Sequence, residues 1–309
     1  MGATTPMPEV AVHRDVVPMD QTIDPASLGL PASPRRGLHG LLEVQAEVLA
    51  GRTRLAAVRQ QPPLQVMRAR HLDEAMPDLA TLMILSPSGG VLQGDELDIR
   101  FELKPGARLR VGTQSATRIY RCPDALARIR TELTVHAEGH LEYLPDPFVP
   151  YSGSRLASST IARIAPDATL ILGEVVTGGR LARGEAFDVG YFDSRIELRR
   201  LDGELLAQDA LRMSAEEPPN RLGRLDETLA VGSLFVVSRG FDPGALRSAP
   251  AIERFGSAFV GASELPGGVG AWLRVLAEDG RTAAAIVAAG SSAARLAILG
   301  SRPHGDRRP

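Results

Sequence analysis

Two carboxylates lie close together in a segment where they could act on a bond. Glu142 and Asp146 flank Tyr143-Leu144-Pro145. A glycoside hydrolase uses such a pair, one group as the acid and the other as base or nucleophile. Aromatic residues make up only 4% of the chain, which is poor material for stacking sugar rings. One hypothesis from this pair is therefore a β-helical carbohydrate-active hydrolase that uses Glu142 and Asp146. The ordinary alternative is that both are surface acids or form structural hydrogen bonds.

The histidines and the single cysteine show no catalytic or metal-binding pattern. No two of the six histidines lie on a predicted helix at the i, i+4 spacing that a zinc peptidase needs. His136 and His140 straddle a turn and could converge on a metal, but His136 falls on the polar face of its predicted strand, which favours a solvated side chain. Cys122 cannot form an internal disulfide and is typical of a reducing compartment. With no serine elbow, Cys-x-x-Cys pair or dinucleotide fingerprint, the chain has no visible catalytic centre.

The segment 89–95, GGVLQGD, resembles a phosphate-binding loop. Such a loop needs a Lys and a Ser or Thr at the start of a helix, whereas an acidic alternating segment follows here. We expect its glycines to meet the backbone requirements of a tight connection, so Gly90→Val should reduce the folded yield. Asp95 follows the turn directly and could be presented as a ligand.

A second glycine-rich segment carries charges. Arg180, Arg183 and Glu185 lie within GGRLARGE at 178–185. The glycines let the backbone approach closely, and opposite charges at this spacing favour a structural ion pair over a ligand site.

Short β-strands must position these side chains. Residues 96–103 alternate strictly between apolar and charged types, the pattern of a half-buried strand. The Asp202-Gly203 pair predicts a hairpin between two further strands. Strands are also predicted at 42–48, 54–59, 81–85, 109–111, 119–120, 128–137, 156–164, 170–176, 196–201, 205–211, 234–237 and 272–276. This number of short strands indicates a mainly β protein.

Helices should be few and lie late in the chain. Apolar residues recur at helical spacing in 251–260, and the alanine-rich segment 282–289 favours a second helix. Residues 1–36 contain six prolines without periodicity, so we expect a flexible N-terminal arm followed by a single mainly β domain at 37–309. The Pro-rich passage 216–220 indicates a linker or exposed loop.

The composition excludes some functions. A net charge of −2 gives no bulk electrostatic reason to bind nucleic acid or an anionic membrane. The N-terminus lacks a basic start followed by an apolar run, and no 18 apolar residues run together. We therefore expect a cytoplasmic protein.

Four segments in register resemble one family. They are GGVLQGD at 89–95, PGARLRVGTQSATRIYR at 105–121, LEYLPDPFVPYSGSR at 141–155 and GGRLARGEAF at 178–187. Their order and spacing are similar to those of the UreD (UreH) urease accessory proteins from about Leu41 to Met213, with a weaker match at 263–280. The chain departs from the family in its long N-terminal arm, in Gln114 where a small hydroxyl residue is usual, and in its C-terminus.

The resemblance implies a fold and a function. The fold would be an elongated β-helix-like body of long mixed sheets with about two helices, mostly toward the C-terminus. The protein would be no enzyme but a scaffold and metallochaperone component that assists nickel insertion into apo-urease. It would bind a UreF-type partner, through it a UreG-type GTPase that performs the GTP hydrolysis, and the urease apoprotein.

Acidic side chains in these segments predict a path for nickel. A divalent ion that moves between proteins needs oxygen ligands that hold it weakly, whereas a full set of His and Cys ligands would trap it. We expect no tightly bound cofactor, only transient nickel. The candidate residues are Asp95, Glu142, Asp146, Glu174 and Glu185.

Overall fold

The computed structural model describes residues 37–216, 219, 225, 227–247 and 258–301. The N-terminal arm and most of the predicted linker lie outside these residues. The strands are β1 (His39–Leu49), β2 (Arg52–Gln61), β3 (Gln65–Val66), β4 (Ala80–Leu85), β5 (Glu96–Leu103), β6 (Arg108–Thr113), β7 (Thr117–Ile119), β8 (Ala127–Val135), β9 (His140–Tyr143), β10 (Phe148–Pro150), β11 (Arg155–Ile164), β12 (Thr169–Thr177), β13 (Tyr191–Arg200), β14 (Leu205–Ser214), β15 (Ala230–Val237), β16 (Phe259–Glu264) and β17 (Gly270–Ala277). The α-helices in the described ranges are α1 (Gly244–Arg247) and α2 (Gly280–Leu299).

The strands form two large mixed sheets. Sheet A has the order β14-β13-β11-β8-β5-β1-β2, and sheet B has the order β16-β17-β15-β12-β9-β6-β4-β3, with β7 and β10 attached to it. The inner strands of sheet A are parallel, as are β4, β6, β9 and β12 in sheet B. β10 pairs in parallel with β7 and β12, and the pairs at the ends of the sheets are antiparallel.

The chain crosses from one sheet to the other at nearly every step through the middle of the sequence. β5, β8 and β11 lie in sheet A, and each is followed by β6, β9 or β12 in sheet B. Each crossing adds a parallel strand to its sheet, which produces the β-helix-like course that the resemblance implied. The coils are of unequal length, because short extra strands such as β7 and β10 interrupt them, so the sequence carries no fixed repeat.

Most predicted strands are confirmed. β5 has the predicted bounds because its alternation matches burial, with Leu97, Ile99, Phe101 and Leu103 inside. The hairpin β13–β14 turns at Asp202-Gly203. The short strands β3, β9 and β10 were not predicted. The predicted helix at 251–260 is wrong at its end, since Phe259 and Val260 pair with β17 in the edge strand β16, and its remaining residues except Ala258 lie outside the described part.

Two large hydrophobic cores form among the described residues, beside a small cluster around Leu126 and Tyr191. The larger fills the space between the sheets, and the smaller lies between sheet B and the helices α1 and α2. α2 is longer than the predicted 282–289. Asp279 caps its first turn by accepting a hydrogen bond from the Thr282 N–H at 2.7 Å, and Gly300 ends it in the left-handed conformation.

α2 packs closely on sheet B because the strands beneath it carry glycine. A Cβ added at Gly232 would lie 2.9 Å from a methyl group of Val287, and one at Gly173 would lie 3.2 Å from the other. By length and apolar composition, α2 would also qualify as a membrane-spanning helix. Here its inner face belongs to the smaller core, so the helix covers one face of sheet B.

Candidate functional site

A gap interrupts sheet B between β6 and β12. β9 fills the space between these strands only as far as Tyr143, which lies opposite Val111 on one side and Leu172 on the other. The residues that follow are Leu144-Pro145-Asp146-Pro147, and proline has no N–H to donate to a β-ladder. β6 continues to Thr113, and β12 has no strand on this side until β10, whose Phe148 lies opposite Val176.

Two cavities adjoin at this gap, one on each face of sheet B. The inter-sheet cavity, of about 90 Å³, lies between the two sheets. The helix-side cavity, of about 610 Å³, lies between sheet B and α2. Both are lined by Thr113, Pro145, Gly173 and Glu174. We call these four residues, which lie at the boundary between the two cavities, the window.

Glu174 is the ionisable residue of the window. It faces sheet A, because Leu172 and Val176 on the same side of β12 belong to the inter-sheet core. Its carboxylate accepts a hydrogen bond of 2.7 Å from Ser194 Oγ. Burial raises the pKa of Glu174 to about 7, and the nearby charge of Asp209 adds to the effect. Near neutral pH this carboxyl can therefore exchange its proton for a cation.

Hydroxyl groups line the inter-sheet cavity beyond Glu174. Thr131, Ser158 and Thr160 are buried on sheet A and face this cavity. Thr131 lies opposite Thr160 in the ladder between β8 and β11. These oxygens can replace part of the hydration shell of a divalent ion without holding it tightly.

Glu142 lies on the other face of sheet B and has a different environment. It is completely buried against α2, and its oxygens lie 3.0 Å from His140 Nε2, 3.4 Å from Arg295 Nη1 and 3.7 Å from Arg110 Nε. Burial opposes the ionisation of Glu142, but the hydrogen bond and charge of His140 and the two arginine charges outweigh it, so its pKa is lowered. Glu142 thus remains ionised and holds the helix.

Arg295 connects α2 to the segment that precedes β4. Its guanidinium is fully buried and pairs with both Asp73 and Glu142. Its Nε and Nη1 groups have no hydrogen-bond partner within the described part of the chain. We call Asp73, Arg295 and Glu142 the clasp, since the three charges fix the helix over the helix-side cavity.

Two further predicted acids contact backbone or neighbouring hydroxyl groups. The Asp146 N–H donates to Thr113 Oγ1 at 2.8 Å, which places Asp146 beside the window on the helix-side cavity. Asp95 is buried, and its two oxygens accept from the N–H groups of Leu38 and Leu92 at 2.8 and 2.9 Å. Asp95 therefore closes the glycine turn, away from the window.

Glu185 forms the ion pair predicted for its segment. Arg180 donates to both of its oxygens, with Nε at 2.9 Å, and the Ser152 N–H donates at 3.2 Å. The hydrogen bond from Arg180 lowers the pKa of Glu185 despite some burial. The Arg180 guanidinium also lies 4.1 Å from the ring centre of Tyr151. The structural ion pair is confirmed.

The glycine loop packs against the same aromatic group. A Cβ at Gly90 would lie 2.5 Å from the Arg118 carbonyl oxygen and 2.7 Å from the ring of Tyr120. The rings of Tyr120 and Tyr151 are 5.1 Å apart. The loop is thus a close backbone contact, and the effect of Gly90→Val stays a prediction.

The structure brings only some of the predicted acids together. Glu174 and Asp146 line the helix-side cavity and Glu142 lies in the clasp, while Asp95 and Glu185 lie elsewhere. Within the described ranges, no three His, Cys, Asp or Glu side chains are grouped so as to hold a metal ion.

The two acids of the hydrolase hypothesis do not form an open catalytic pair. Glu142 has no exposed surface and is paired with arginines, so it cannot reach a polysaccharide or serve as a general acid. Asp146 lies separately at the window. The geometry therefore argues against a glycosidase using this pair.

Sequence reasoning missed the partners that define these environments. Ser194, Arg295 and Asp73 come from distant segments. One signal was present in the sequence: Arg295 is the single charge in an otherwise apolar stretch, which suggests a buried pair. The two prolines at 145 and 147 also predict an interrupted ladder, but not which strands they interrupt.

Comparison with known proteins gives one family. The family model described as UreD urease accessory protein matches residues 38–308. A protein of Streptomyces griseus called urease accessory protein UreD 2 is 34% identical, and the match covers 90% of this chain and 95% of that protein. UreD of Haloarcula marismortui is 33% identical, with coverage of 90% and 92%, and UreD 2 of Brucella suis is 32% identical, with coverage of 86% and 89%.

Proposed function

The chain belongs to the UreD family of urease accessory proteins, and on that premise we propose that it is a non-catalytic scaffold through which nickel passes on its way into the urease apoprotein. The observation that carries this proposal is the window, where a carboxyl that titrates near neutral pH lies between two cavities. The protein would act in the cytoplasm.

The ion would move from the helix-side cavity through the window to the inter-sheet cavity. Asp146 lines the first cavity and Glu174 lines both. A carboxyl whose pKa is about 7 binds a divalent ion in exchange for one proton and releases it when the proton returns. Because the described residues offer no group of three His, Cys, Asp or Glu side chains that could hold a metal ion, the ion would not be retained.

The outer surface of α2 supports a helical partner of the UreF type. After Arg281 the only charged residue of the helix is the buried Arg295, and its exposed positions carry alanine and leucine, at Ala288, Leu296 and Ala297. Leu72 and Met83 on the rim of the helix-side cavity are 50% and 46% exposed. An uncharged helix face beside exposed apolar side chains is typical of a surface that another protein covers. That partner would recruit the UreG-type GTPase, which hydrolyses the GTP.

The test is nickel loading in cells that produce urease subunits with the UreF-type and UreG-type partners. We expect Glu174→Gln to reduce urease activity and nickel per active site by at least about tenfold, because the amide cannot exchange a proton for a cation. Glu132→Gln on the outer face of sheet A is the matched control and should load fully. Asp95→Asn and Glu185→Gln complete the series, since both acids belong to the predicted path.

Two results separate the parts of this proposal. If Glu174→Gln, Asp146→Asn and the rest of the acid series all bind their partners and support full nickel loading, the acidic route is wrong and the chain is a docking platform only. If the unaltered chain captures neither a UreF-type protein nor urease subunits, the scaffold role itself is wrong.

A further inference from the structure

Arginine and tyrosine side chains form a continuous surface where the motif segments meet. We call this the basic surface, and its residues are Arg118, Tyr120, Arg121, Tyr151, Arg180 and Arg183. Arg118 Nη1 donates to the Gly89 carbonyl at 3.4 Å, Tyr120 stacks edge-on against Tyr151, and Arg180 covers Tyr151. Arg121 packs beside Gly153, and Arg183 lies near enough to Glu185 to lower its pKa.

The basic surface has an excess of positive charge, although the whole chain has a net charge of −2. Arg118, Arg121 and Arg183 are exposed, and none pairs with an acid in the described part of the chain. Nearby acids are Glu185, which pairs with Arg180, Asp188, which accepts from Ser152 Oγ at 2.6 Å, and the exposed Asp124, three residues after Arg121. The surface is therefore complementary to a partner that presents carboxylates.

Its composition and order fit a protein partner. Tyrosine and arginine are the residues that most often dominate binding at protein interfaces. Arg180 is already fixed by Glu185 and the Tyr151 ring, so little side-chain entropy is lost on docking. Nucleic acid would require more phosphate contacts than three unpaired arginines provide.

The basic surface also adjoins the end of the proposed nickel route. Gly89, Gly90 and Thr117 line the inter-sheet cavity. Arg118 follows Thr117, and Tyr120 packs on Gly90. Unpaired guanidinium groups repel a divalent cation that approaches from the cavity, so the ion cannot leave easily while this surface faces water.

We propose that the basic surface docks a carboxylate-rich surface of the apoprotein that receives the metal, and that this docking neutralises the positive barrier at the end of the route. The inference rests on the proposed function and adds the chemistry of the acceptor's surface. Delivery of the ion is then coupled to docking, because the ion can leave the route only when a negatively charged acceptor protein is bound.

The experiment uses the full chain, co-expressed with urease subunits and recovered by affinity purification at about 0.1 M and 0.5 M salt. We expect the unaltered chain to capture the subunits and to lose them as salt rises, since exposed charge pairs are screened. Arg118→Glu with Arg121→Glu should lower capture at least about tenfold at low salt. Arg52→Glu with Arg54→Glu, two exposed arginines at the far edge of sheet A, is the control and should leave capture unchanged.

Each outcome decides the question. Undiminished capture by the folded Arg118→Glu, Arg121→Glu variant overturns the inference while leaving the scaffold role intact. If the unaltered chain captures no urease subunits, the proposed function fails first. Capture that nuclease abolishes would assign the surface to nucleic acid and also overturns the inference. If the charge-reversed variant does not fold, Arg118→Gln with Arg121→Gln takes its place. It should capture fewer urease subunits at low salt than the unaltered chain, and undiminished capture overturns the inference.

Discussion

Glu142 and Glu174 lie on neighbouring strands of one sheet but in opposite electrostatic environments. Glu142 faces the helix, where Arg110, Arg295 and His140 keep its pKa low. Glu174 faces the interior between the sheets and forms no ion pair within the described residues. Burial and the charge of Asp209 outweigh the hydrogen bond from Ser194 and the charge of Arg274, and the pKa of Glu174 rises to about 7. Burial disfavours the charge of both, so the difference comes from their neighbours. One carboxylate is committed to structure, and the other is free to exchange its proton.

The largest effect is expected from removing Arg295, the cation that Glu142 shares with Asp73, since this tests whether the neighbours of Glu142 give it a structural role. Arg295→Met should lower the free energy of unfolding by about 3–5 kcal/mol, because it leaves two buried acids without their common counter-charge. Urea denaturation followed by circular dichroism measures this. Arg281→Met, at an exposed position of the same helix, should change stability by less than about 0.5 kcal/mol. Equal effects of the two substitutions would mean that the clasp does not hold the helix.

The pH dependence of Glu142 gives the next largest effect. Its pKa is lower in the folded protein than its ordinary value of 4.5, so its ionised form stabilises the fold above that value. This stabilisation is lost as the pH falls through the lowered pKa. At pH 7, Glu142→Gln should cost about 2–3 kcal/mol, and the difference from the unaltered chain should shrink toward pH 3. If the difference in the free energy of unfolding between the two chains did not change with pH, Glu142 would not be ionised in the folded protein.

Glu174 should show the opposite sign. Its pKa is about 7 when folded and ordinarily 4.5, so the folded chain binds the proton more tightly and loses stability as the pH rises through this interval. Glu174→Gln removes the loss and should raise the free energy of unfolding at pH 8 by at most about 3 kcal/mol. At pH 4 the two chains should be nearly equal. Unfolding measured from pH 4 to 8 tests this, and a destabilised Gln variant at pH 8 would refute it.

The smallest effect concerns the hydroxyl beside Glu174. Ser194→Ala removes a hydrogen bond that opposes the upward shift, so the pKa of Glu174 should rise further, by an amount equivalent to about 1 kcal/mol. Carbon-13 NMR titration of labelled glutamate carboxyls would detect it. Ser159→Ala on the outer face of the same sheet should leave the titration unchanged. If the pKa of Glu174 stayed the same or fell in the Ser194 variant, the Ser194 hydroxyl would not stabilise the ionised form of Glu174.

The sequence predicted the strands well because their signals are local. The alternation in 96–103 and the Asp202-Gly203 turn each depend on adjacent residues, and both match the structure. The β-helix-like course came from the resemblance, because the unequal coils leave no period to detect. The predicted helix at 251–260 failed at Phe259 because pairing with β17 overrides apolar spacing.

The difference between the two glutamates was not predictable from the sequence. Glu142 and Glu174 were both proposed as nickel ligands on the same grounds, since each is an acid in or beside a motif segment. What separates them is Arg295 on one face and Ser194 on the other. The Asp73–Arg295 contact joins positions separated by 222 residues, and no local pattern specifies such a partner.

That same separation sets an order of events during synthesis. A contact that closes so long a loop forms late, because its chain entropy must be overcome after most other contacts exist. The ribosome makes Asp73 and Glu142 long before Arg295, so the growing chain carries an uncovered face of sheet B, without the arginine that joins these two acids, until α2 emerges. During that interval the nascent chain is exposed to aggregation. The helix that covers sheet B is thus also the element whose arrival ends the vulnerable period of folding.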